Sequence, residues 1–581
     1  MSRCILIIVF SFIYFNSLAQ VEIPFVTSKG LKSATVKEVD TFYSYWLRQK
    51  TILRPVTSKK INAQDELNLL EISAYQQAPD SSYITLFINN AIHAGEPDGV
   101  DATMLLINDY MTGKLPLPQH VRILVLPFYN ASGMLARNST TRANQNGPLE
   151  YGFRANGQYL DLNRDMMKAD AVESNFMQEI LLSEKVDVLV DNHVSDGADY
   201  QHVITLLTSQ KDKYDPTARD FLHRNFEPAL YEQMRRRKYD LCPYVNHFSE
   251  TPERGWQAFS ESPRFLSGFA SMFNIYSFVV ETHMLKPYNQ RVEATYTFLR
   301  EMINYCETNY KEIQQTRMKA NQEQSENEFV KMNYQCDTSS HEMILFKGYT
   351  AGHKASAVSG LPRLYYDRNS PFTKRIPFYN NFVARDSVKA PDAYIIPKEW
   401  LVKFANKYLI QEFVDAKSFI QRDTNLLVSY YLIDNYSTTK SPYEGHYMHF
   451  NTTVTRKTDL VQVHAGDVIV RLKPDEYVCN SAQLKKCLVQ LFEPVGEDSY
   501  FNWNYFDAIL QQKEGYSDYV FEDLAAEELK KHPELLQQLE EAKLKDSTLG
   551  ESAAAQLNWV YQHSIYREPG YKRYPILRWK Y

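Results

Sequence analysis

The sequence predicts an α/β protein with a mixed, mostly parallel, twisted sheet covered by helices on both faces, followed by a β-rich region. Four apolar runs in the first half have the length and composition of buried strands, at 83–90, 121–130, 186–193 and 275–283. Helical patterns lie between these runs, and such alternation is typical of a sheet with both faces covered. Ligands of open α/β sheets bind beyond the carboxyl ends of the strands, so the residues that follow each run are the first candidates for a site.

Length and composition indicate a folded protein with more than one domain. The chain has 581 residues, of which 44 % are hydrophobic and 23 % are charged, as in ordinary globular proteins. The net charge of −6, without a stripe rich in Lys and Arg, argues against a nucleic-acid partner.

Residues 1–19 have the pattern of a secretory signal peptide. Arg3 precedes an apolar run at 4–15, which is shorter than the roughly 20 residues of a membrane-spanning helix. The small residues Ser17 and Ala19 suit a cleavage site, and an uncleaved membrane anchor is the alternative interpretation. Because no later stretch is apolar enough to span a bilayer, we expect an extracytoplasmic protein, either periplasmic or secreted.

Five cysteines follow the predicted signal peptide, and their spacings match no zinc-finger pattern. An odd number in an oxidising compartment means that at least one is free or joined to another chain, and the sequence does not pair the others. They are Cys242, Cys306, Cys336, Cys479 and Cys487.

The first predicted domain, residues 20–325, contains the four strands. Helical patterns between the strands include 98–111 and 170–184. A long polar helical stretch at about 290–330 follows the fourth strand, and its charged end indicates a domain boundary.

The second predicted domain, residues 335–581, is a β-rich accessory region of unknown role. Two charged helical segments broken at Pro533 lie within it, at 523–546. The stretch 498–509 is dense in aromatic residues, and such stretches more often belong to a hydrophobic core than form a platform for a ligand. The short apolar runs predicted as β-like are 342–349, 363–367, 393–397, 425–434, 467–472 and 487–494.

Two His-x-x-Glu pairs occur, and they differ in what precedes them. Composition alone predicts about one such pair in a chain of this kind. His247 and Glu250 lie in a Pro-rich stretch without a preceding strand, whereas His93 and Glu96 directly follow the strand at 83–90. The second pair therefore occupies the position at which open α/β sheets bind ligands.

Two further strands end in side chains that can carry chemistry. His193 closes its strand, and two His with one Glu form a known ligand set for catalytic zinc; the alternative is a strand-end histidine bonded to a loop. Asp191 and Asn192 could fix the tautomer of such a ligand. Glu281 directly follows three apolar residues at the end of its strand, where a carboxylate without a partner is costly, so a functional role is the simpler explanation.

The stretch RANGQYLDLNRD, residues 154–165, has two possible interpretations. Asp161 or Asn163 can cap a helix, and Arg154 and Arg164 can be surface charges. Alternatively, the arginines and the asparagine form an anion clamp, because Arg binds carboxylates in a bidentate manner.

Taken together, these motifs resemble the zinc carboxypeptidases of the carboxypeptidase A type, and IHAGEPDG and LDLNRD are close to bacterial secreted members. The family carries a His-x-x-Glu after a strand, an Asn-Arg pair often within DLNR, a distant His and a Glu at a late strand end, in this order. The resemblance covers about residues 40–310. It implies a carboxypeptidase-like fold, one zinc ion per chain and a peptide or peptide-like substrate. The implied zinc ligands are His93, Glu96 and His193.

The same resemblance implies roles for the remaining residues. Glu281 is implied as the general base and acid, and Asn163 and Arg164 as the groups that hold the terminal carboxylate of the substrate. Arg154 resembles the arginine that polarises the scissile carbonyl, and Arg142 is a second candidate for that role.

The sequence departs from the family in two places. The family's Asn-Pro-Asp-Gly after the second strand is replaced by residues 130–133, Asn-Ala-Ser-Gly. The family's mobile, substrate-covering tyrosine has no clear counterpart in 250–275. Tyr244 and Tyr276 are candidates, and Arg264 could supply a cationic contact instead.

The sequence thus predicts a secreted zinc metallopeptidase, in particular a metallocarboxypeptidase that releases C-terminal residues with zinc-activated water and a glutamate base. A zinc amidohydrolase that deacylates N-acyl amino acids and a cell-wall peptide amidase are alternatives on the same fold. A binding protein that has lost catalysis is the alternative from another functional class.

Overall fold

The structure is a computed structural model that describes residues 21–50, 52–62, 65–74, 82–248, 250–404, 407–412, 418–472 and 481–580. The predicted signal peptide, residues 1–19, and Cys479 lie outside the described residues.

The strands are β1 (Leu53–Lys60), β2 (Glu66–Ile72), β3 (Ile84–Asn90), β4 (Val121–Leu126), β5 (Val188–Ser195), β6 (Ile204–Thr208), β7 (Trp256–Gln257), β8 (Tyr276–His283), β9 (Phe329–Cys336), β10 (Glu342–Ala355), β11 (Pro362–Tyr379), β12 (Phe382–Lys389), β13 (Ala393–Ile396), β14 (Thr424–Thr438), β15 (His449–Val463), β16 (Val468–Arg471) and β17 (Leu577–Trp579). The α-helices are α1 (Pro24–Thr27), α2 (Val36–Gln49), α3 (Asp98–Met111), α4 (Ala131–Leu135), α5 (Val172–Ser183), α6 (Pro216–Phe221), α7 (Glu227–Arg236), α8 (Leu266–Ser271), α9 (Tyr288–Glu326), α10 (Lys398–Leu401), α11 (Tyr408–Gln411), α12 (Ser481–Phe492), α13 (Asp518–Lys531), α14 (Pro533–Lys545), α15 (Ser547–Glu551) and α16 (Ala553–His563).

A mixed sheet in the order β1-β2-β4-β3-β5-β8-β6 lies at the centre of the first half. Its four central strands, β4, β3, β5 and β8, run parallel, and they are the four strands that the sequence predicts. β1, β2 and β6 are added antiparallel at the two sides. β3 and β5 are buried along their whole length, because helices pack against the sheet. The predicted fold class is confirmed.

The order of the strands creates a crevice above β3 and β5. From β3, the chain continues to β4 on one side and later to β5 on the other. The loops that leave β3 and β5 therefore diverge, and a ligand site is expected at this topological switch point.

The second half is β-rich, as predicted, and contains two long hairpins. β10 pairs with β11, and β11 also pairs with β7 from the first half of the chain. β14 pairs with β15 in a sheet of order β15-β14-β17-β13-β16. The charged helical segment is divided between α13 and α14 at Pro533. The boundaries of the two domains stay a prediction.

The prediction of a strand at 487–494 is wrong, because Ser481–Phe492 forms helix α12. The run is too short to show a period when it is taken alone. The helical spacing of three and four residues becomes visible only when Leu484 is included, since the buried apolar positions of the helix include Leu484, Cys487, Leu488, Leu491 and Phe492. Here α12 packs against α9 and β9, and Leu488 and Val489 are fully buried.

The aromatic stretch 498–509 contributes to the core, with Phe501 and Trp503 fully buried. In the part of the chain that the structure describes, the cysteines are free thiols, and no helix is both long and apolar enough to cross a membrane. The free cysteines are Cys242, Cys306, Cys336 and Cys487.

Candidate functional site

The loop after β3 carries His93 and Glu96 into the crevice, and α3 begins immediately afterwards. Gly99, in the first turn of α3, allows this helix to approach β5 closely. A Cβ atom at Gly99 would lie 2.4 Å from Cβ of Asn192, so any larger residue would push the helix away from the strand. The close approach places the His-x-x-Glu loop beside the end of β5.

His93, Glu96 and His193 form a group whose side chains can share one metal ion. Their ligand atoms all lie within 4.8 Å of one another. Nδ1 of His93 is 3.2 Å from Oε1 of Glu96, and Nδ1 of His193 is 3.0 Å from Oε2 of Glu96. Zinc–ligand distances of about 2.0–2.2 Å in a tetrahedral site place ligand atoms roughly 3.3–3.6 Å apart, so these side chains lie close enough together to share one ion.

Each histidine of this group also contacts an aspartate through its other ring nitrogen. Nε2 of His93 lies 3.0 Å from Oδ1 of Asp161, and Nε2 of His193 lies 2.8 Å from Oδ2 of Asp191. Such a carboxylate fixes the tautomer and the orientation of a metal-binding imidazole and increases its basicity. Asn192 makes no such contact, since its amide donates to Oδ1 of Asn90.

The charges of the group are strongly coupled. Burial opposes ionisation of Glu96, but His93 and then Arg142 hold the pKa of this carboxyl well below its usual range. Burial likewise opposes protonation of His193, but Asp191 raises the pKa of this imidazole well above its usual value. The three side chains are 3–4 % exposed, so their charges interact in a weakly screened environment.

One ring nitrogen shows that the group fits a cation. Nδ1 of His93 is buried and, although Oε1 of Glu96 lies 3.2 Å away, it makes no well-aligned hydrogen bond to the described residues. A buried polar atom without a partner is costly, and a metal ion at this position would satisfy it. Two imidazoles and one carboxylate are also a ligand set that zinc accepts in catalytic sites.

Glu281 lies beside this group on the neighbouring strand. It occupies β8 directly opposite His193 in the pairing of β5 with β8. Its Oε2 atom is buried and receives no hydrogen bond from the described residues. Burial raises the pKa of Glu281, and the nearby carboxylates of Glu96 and Asp191 act in the same direction, whereas His193 opposes them.

Asp161 connects the DLNR stretch to the metal group, a role that the sequence interpretation did not assign to it. It caps the short helical turn at Leu162–Arg164, as one interpretation expected, because its Oδ1 accepts the N–H of Asn163. Its Oδ2 is also 2.9 Å from Nη2 of Arg154. Burial opposes its ionisation, but His93 and then Arg154 and Arg164 lower its pKa.

Arg164 and Asn163 lie next to Arg154 at the wall of the crevice. Asn163 is held by the N–H of Leu266, which donates to its Oδ1 at 3.0 Å. The guanidinium of Arg164 lies 4.2 Å from the centroid of the Phe265 ring, and this side chain remains partly exposed. The cations are therefore fixed in position while keeping donors available to an anion.

Arg142 and the two tyrosine candidates have distinct environments. Nη1 of Arg142 donates to Oε1 of Glu96 at 2.9 Å, so this arginine is engaged with the candidate metal group. Tyr244 lies at the wall of the crevice. Tyr276 lies at the start of β8, is fully buried and bonds to Thr316, so it does not reach the crevice.

Arg264 does not line the crevice. Its Nε lies 3.0 Å from Oδ1 of the buried Asp498, and its guanidinium is 5.6 Å from the Trp503 ring. Its charge is therefore used in packing the second half of the chain against the first.

These elements enclose a cavity of about 430 Å³, a size that suits a small ligand or the end of a peptide. All seven residues that the sequence predicts for the site line it, and so does Arg142. The predicted residues are His93, Glu96, Arg154, Asn163, Arg164, His193 and Glu281. Further walls are formed by Leu207, Tyr244, Phe259, Glu261, Phe265 and Val279. His247 and Glu250, the other His-x-x-Glu pair, are not among the lining residues.

No family model matches the sequence, and no curated protein matches it. The solved structures that resemble it include metallocarboxypeptidases. A metallo-carboxypeptidase from Pseudomonas aeruginosa, solved with (2-guanidinoethylmercapto)succinic acid, is 14 % identical with a TM-score of 0.37 over 48 % of this chain and 70 % of that chain. Carboxypeptidase A from Helicoverpa armigera is 16 % identical with a TM-score of 0.37 over 48 % and 74 % of the two chains. Bovine thrombin-activatable fibrinolysis inhibitor, solved with a tick carboxypeptidase inhibitor, is 12 % identical with a TM-score of 0.36 over 48 % and 98 %.

Proposed function

We propose that the protein is a zinc-dependent metallocarboxypeptidase that removes C-terminal residues from peptides outside the cytoplasm. The observation that carries the proposal is the shared cavity. A group that fits zinc, a buried carboxylate with a free oxygen and two partly exposed arginines all face it. Export rests on the pattern of residues 1–19, and the role of residues 20–325 as the catalytic domain is part of the same proposal.

His93, Glu96 and His193 would hold the zinc ion. Zinc bound there would supply Lewis acidity, which polarises a carbonyl and makes water acidic enough to attack near neutral pH. Asp161 and Asp191 would keep both imidazoles oriented with Nδ1 toward the metal.

Glu281 is the proton carrier in this proposal. Its buried, unpartnered Oε2 can accept the proton of the attacking water, and the same oxygen can later donate it to the leaving amine. The raised pKa of its carboxyl favours proton uptake, because a base whose pKa lies near the working pH is the most effective.

The cationic wall would place the substrate. Arg164 with Asn163 binds the terminal carboxylate, which fixes the scissile carbonyl relative to the metal group. Arg154 is held by Asp161 beside Glu96 and stabilises the negative oxygen that forms during attack. A donor of this kind typically contributes about 2.7–4 kcal/mol to the transition state.

The decisive experiment combines metal content with substrate choice. Wild type is expected to bind one zinc per chain and to release the C-terminal residue from blocked dipeptides with a free carboxylate. Glu281→Gln is expected to keep the zinc and lose hydrolysis. Glu96→Gln is expected to lose the zinc, while the matched control Glu250→Gln, at the other His-x-x-Glu pair, keeps both properties.

The alternatives give different results in the same assay. Hydrolysis of N-acyl amino acids but not of peptides would assign the site to a deacylase, and cleavage of cell-wall peptides alone would assign it to an amidase. Zinc binding without any hydrolysis would indicate a binding protein. A wild-type protein that binds no zinc would refute the metallopeptidase proposal.

A further inference from the structure

A hairpin from the second half of the chain reaches the candidate site. β14 and β15 pair along most of their length, and the loop at 439–448 that joins them extends to the first half. Its tip is a two-residue turn, since Tyr443 and His446 exchange both of their backbone hydrogen bonds, at 2.8 and 3.0 Å. The two central residues are Glu444 and Gly445.

The backbone of Glu444 adopts a conformation that glutamate rarely takes. Its φ is 48°, in the left-handed region, and Gly445 follows with a φ of 83°. Two-residue turns with positive φ at both positions favour Asn or Gly at the first one, because a Cβ atom is strained there. A glutamate at this position is therefore explained by its side chain rather than by the turn.

The side chain of Glu444 contacts the site through Asp161. Its Oε2 accepts the backbone N–H of Asp161 at 2.8 Å, across 283 positions of sequence. Asp161 is the residue whose two carboxylate oxygens hold His93 and Arg154. The hydrogen bond thus fixes the backbone that carries both of these contacts.

Contacts on either side of Glu444 hold the tip in place independently. Nε2 of His446 lies 2.7 Å from Oδ2 of Asp170. The ring of Tyr443 stacks on that of Trp503 with centroids 6.2 Å apart. Replacing Glu444 alone therefore leaves the hairpin docked.

We propose that Glu444 is a positioning residue, through which the second half of the chain fixes the orientation of Asp161 and, with it, of His93 and Arg154. The inference rests on the proposed function. It gives the β-rich region a part in the metal site, acting through the backbone of Asp161 without contact with the substrate.

The test uses three variants of the full-length protein. Glu444→Gly removes the carboxylate and relieves the strained φ, so its thermal midpoint should equal or exceed that of wild type. Its zinc affinity, measured by competition with a chelator, is expected to fall about 10-fold. This is the lower end of the roughly 10- to 100-fold loss that typically follows removal of a group that supports a metal ligand. Its kcat should fall by a similar factor with KM within 2-fold, because Arg154 acts in the transition state. Glu444→Gln retains an acceptor oxygen and should stay within 2-fold of wild type.

The matched control is Lys238→Gly, which relieves another positive φ, of 69°, at an exposed position outside the cavity. It should change neither zinc affinity nor kcat. Hydrogen–deuterium exchange in peptides that contain Asp161 reports the contact itself, without metal or substrate, and should be faster in Glu444→Gly alone.

Two results would overturn the proposal. Zinc affinity and kcat within 2-fold of wild type in Glu444→Gly would mean that the contact does not position the site, whatever the exchange result. Equal losses in Glu444→Gly and Glu444→Gln would mean that charge, rather than the hydrogen bond, is responsible. Failure of the proposed function would look different, because wild type itself would then neither bind zinc nor hydrolyse peptides.

Discussion

Asp161 joins three parts of the candidate site through separate atoms. Its Oδ1 contacts His93, its Oδ2 contacts Arg154, and its backbone N–H is held by Glu444. A neutral side chain at this position would still accept hydrogen bonds but would no longer attract the imidazole and guanidinium electrostatically. The charge of Asp161 therefore matters separately from its shape.

Asp161→Asn is expected to lower zinc affinity by about 10- to 100-fold, because a carboxylate behind a metal-binding histidine increases the basicity of the ligand. Competition with a chelator at constant pH measures this change. Asp220→Asn, at an exposed aspartate paired with Arg219, is the control and should leave zinc affinity unchanged. Equal affinities in Asp161→Asn and wild type would show that this carboxylate does not support a metal ligand.

Arg164 and Arg154 should affect different kinetic constants. Arg164→Ala is expected to raise KM about 100-fold or more for peptides with a free C-terminus, since a bidentate contact with the carboxylate is lost. Arg154→Ala should lower kcat by about 10²–10³-fold with a smaller change in KM. Steady-state kinetics with one peptide and its C-terminal amide separate the effects, because the amide should be insensitive to Arg164→Ala. Indistinguishable profiles for the two variants would contradict these assignments.

The sequence predicted residues that the structure brings together at one cavity, but not all of their partners. His93, Glu96, His193 and Glu281 could be predicted because each stands at or just after the end of a buried strand, where parallel strands deliver side chains to one edge. The contacts of Asp161 with His93 and Glu444 span 68 and 283 positions, and no local pattern encodes them.

Helices α3 and α9 are joined by an ion pair that also contacts the end of β8. Arg291 in α9 and Asp98 in the first turn of α3 are almost completely buried, with Nε and Oδ2 2.8 Å apart. The hydroxyl of Thr282, next to Glu281, donates to the same Oδ2. Because α3 begins immediately after the His-x-x-Glu loop, this pair links that loop to the strand that carries Glu281.

Arg291→Met is expected to destabilise the protein by about 3–5 kcal/mol, because it leaves the buried carboxylate of Asp98 without its cation. Urea unfolding monitored by circular dichroism measures the loss. The double variant Asp98→Asn, Arg291→Met should recover part of it, since no buried charge then remains uncompensated. Arg235→Met, which breaks an exposed pair with Glu232, should cost less than about 1 kcal/mol. A loss of that small size for Arg291→Met would contradict the proposed link between the elements.

At the scale of the whole molecule, the alternation of strands and helices predicted the central sheet. The contacts between the two halves of the chain could not be predicted from the sequence. Long-range pairing, such as that of β7 with β11, has no signature in a two-residue strand. The run at 487–494 was assigned to the wrong element for a local reason, since it omits Leu484, the residue that makes the helical spacing of the buried positions visible.

A buried histidine lies at this interface. The segment at 200–202 pairs with β10, and His202 is 4 % exposed. Its Nδ1 donates to the carbonyl of Asp240 at 2.8 Å, and its Nε2 accepts the backbone N–H of Lys347 at 3.2 Å. One ring nitrogen must donate and the other accept, so the folded protein requires the neutral imidazole. Burial lowers the pKa of His202 to about 4, and the nearby ammonium groups of Lys347 and Lys286 act in the same direction, against the carbonyl and carboxylate of Asp240.

Because His202 must be neutral in the folded protein, we predict that acid weakens the interface between the two halves of the chain. Between its unfolded pKa of 6.5 and its folded pKa of about 4, the unfolded chain binds a proton that the folded chain excludes. The free energy of unfolding is therefore unaffected by this group above pH 6.5 and decreases as the pH falls toward 4. The total decrease is about 3 kcal/mol, at 1.36 kcal/mol per pKa unit. Urea unfolding at pH 7, 5.5 and 4 should show a steeper loss in wild type than in His202→Gln, which cannot take up this proton. His353→Gln, at an exposed position in β10, should follow wild type. Parallel curves for wild type and His202→Gln would mean that His202 does not couple acid to the docking of β10.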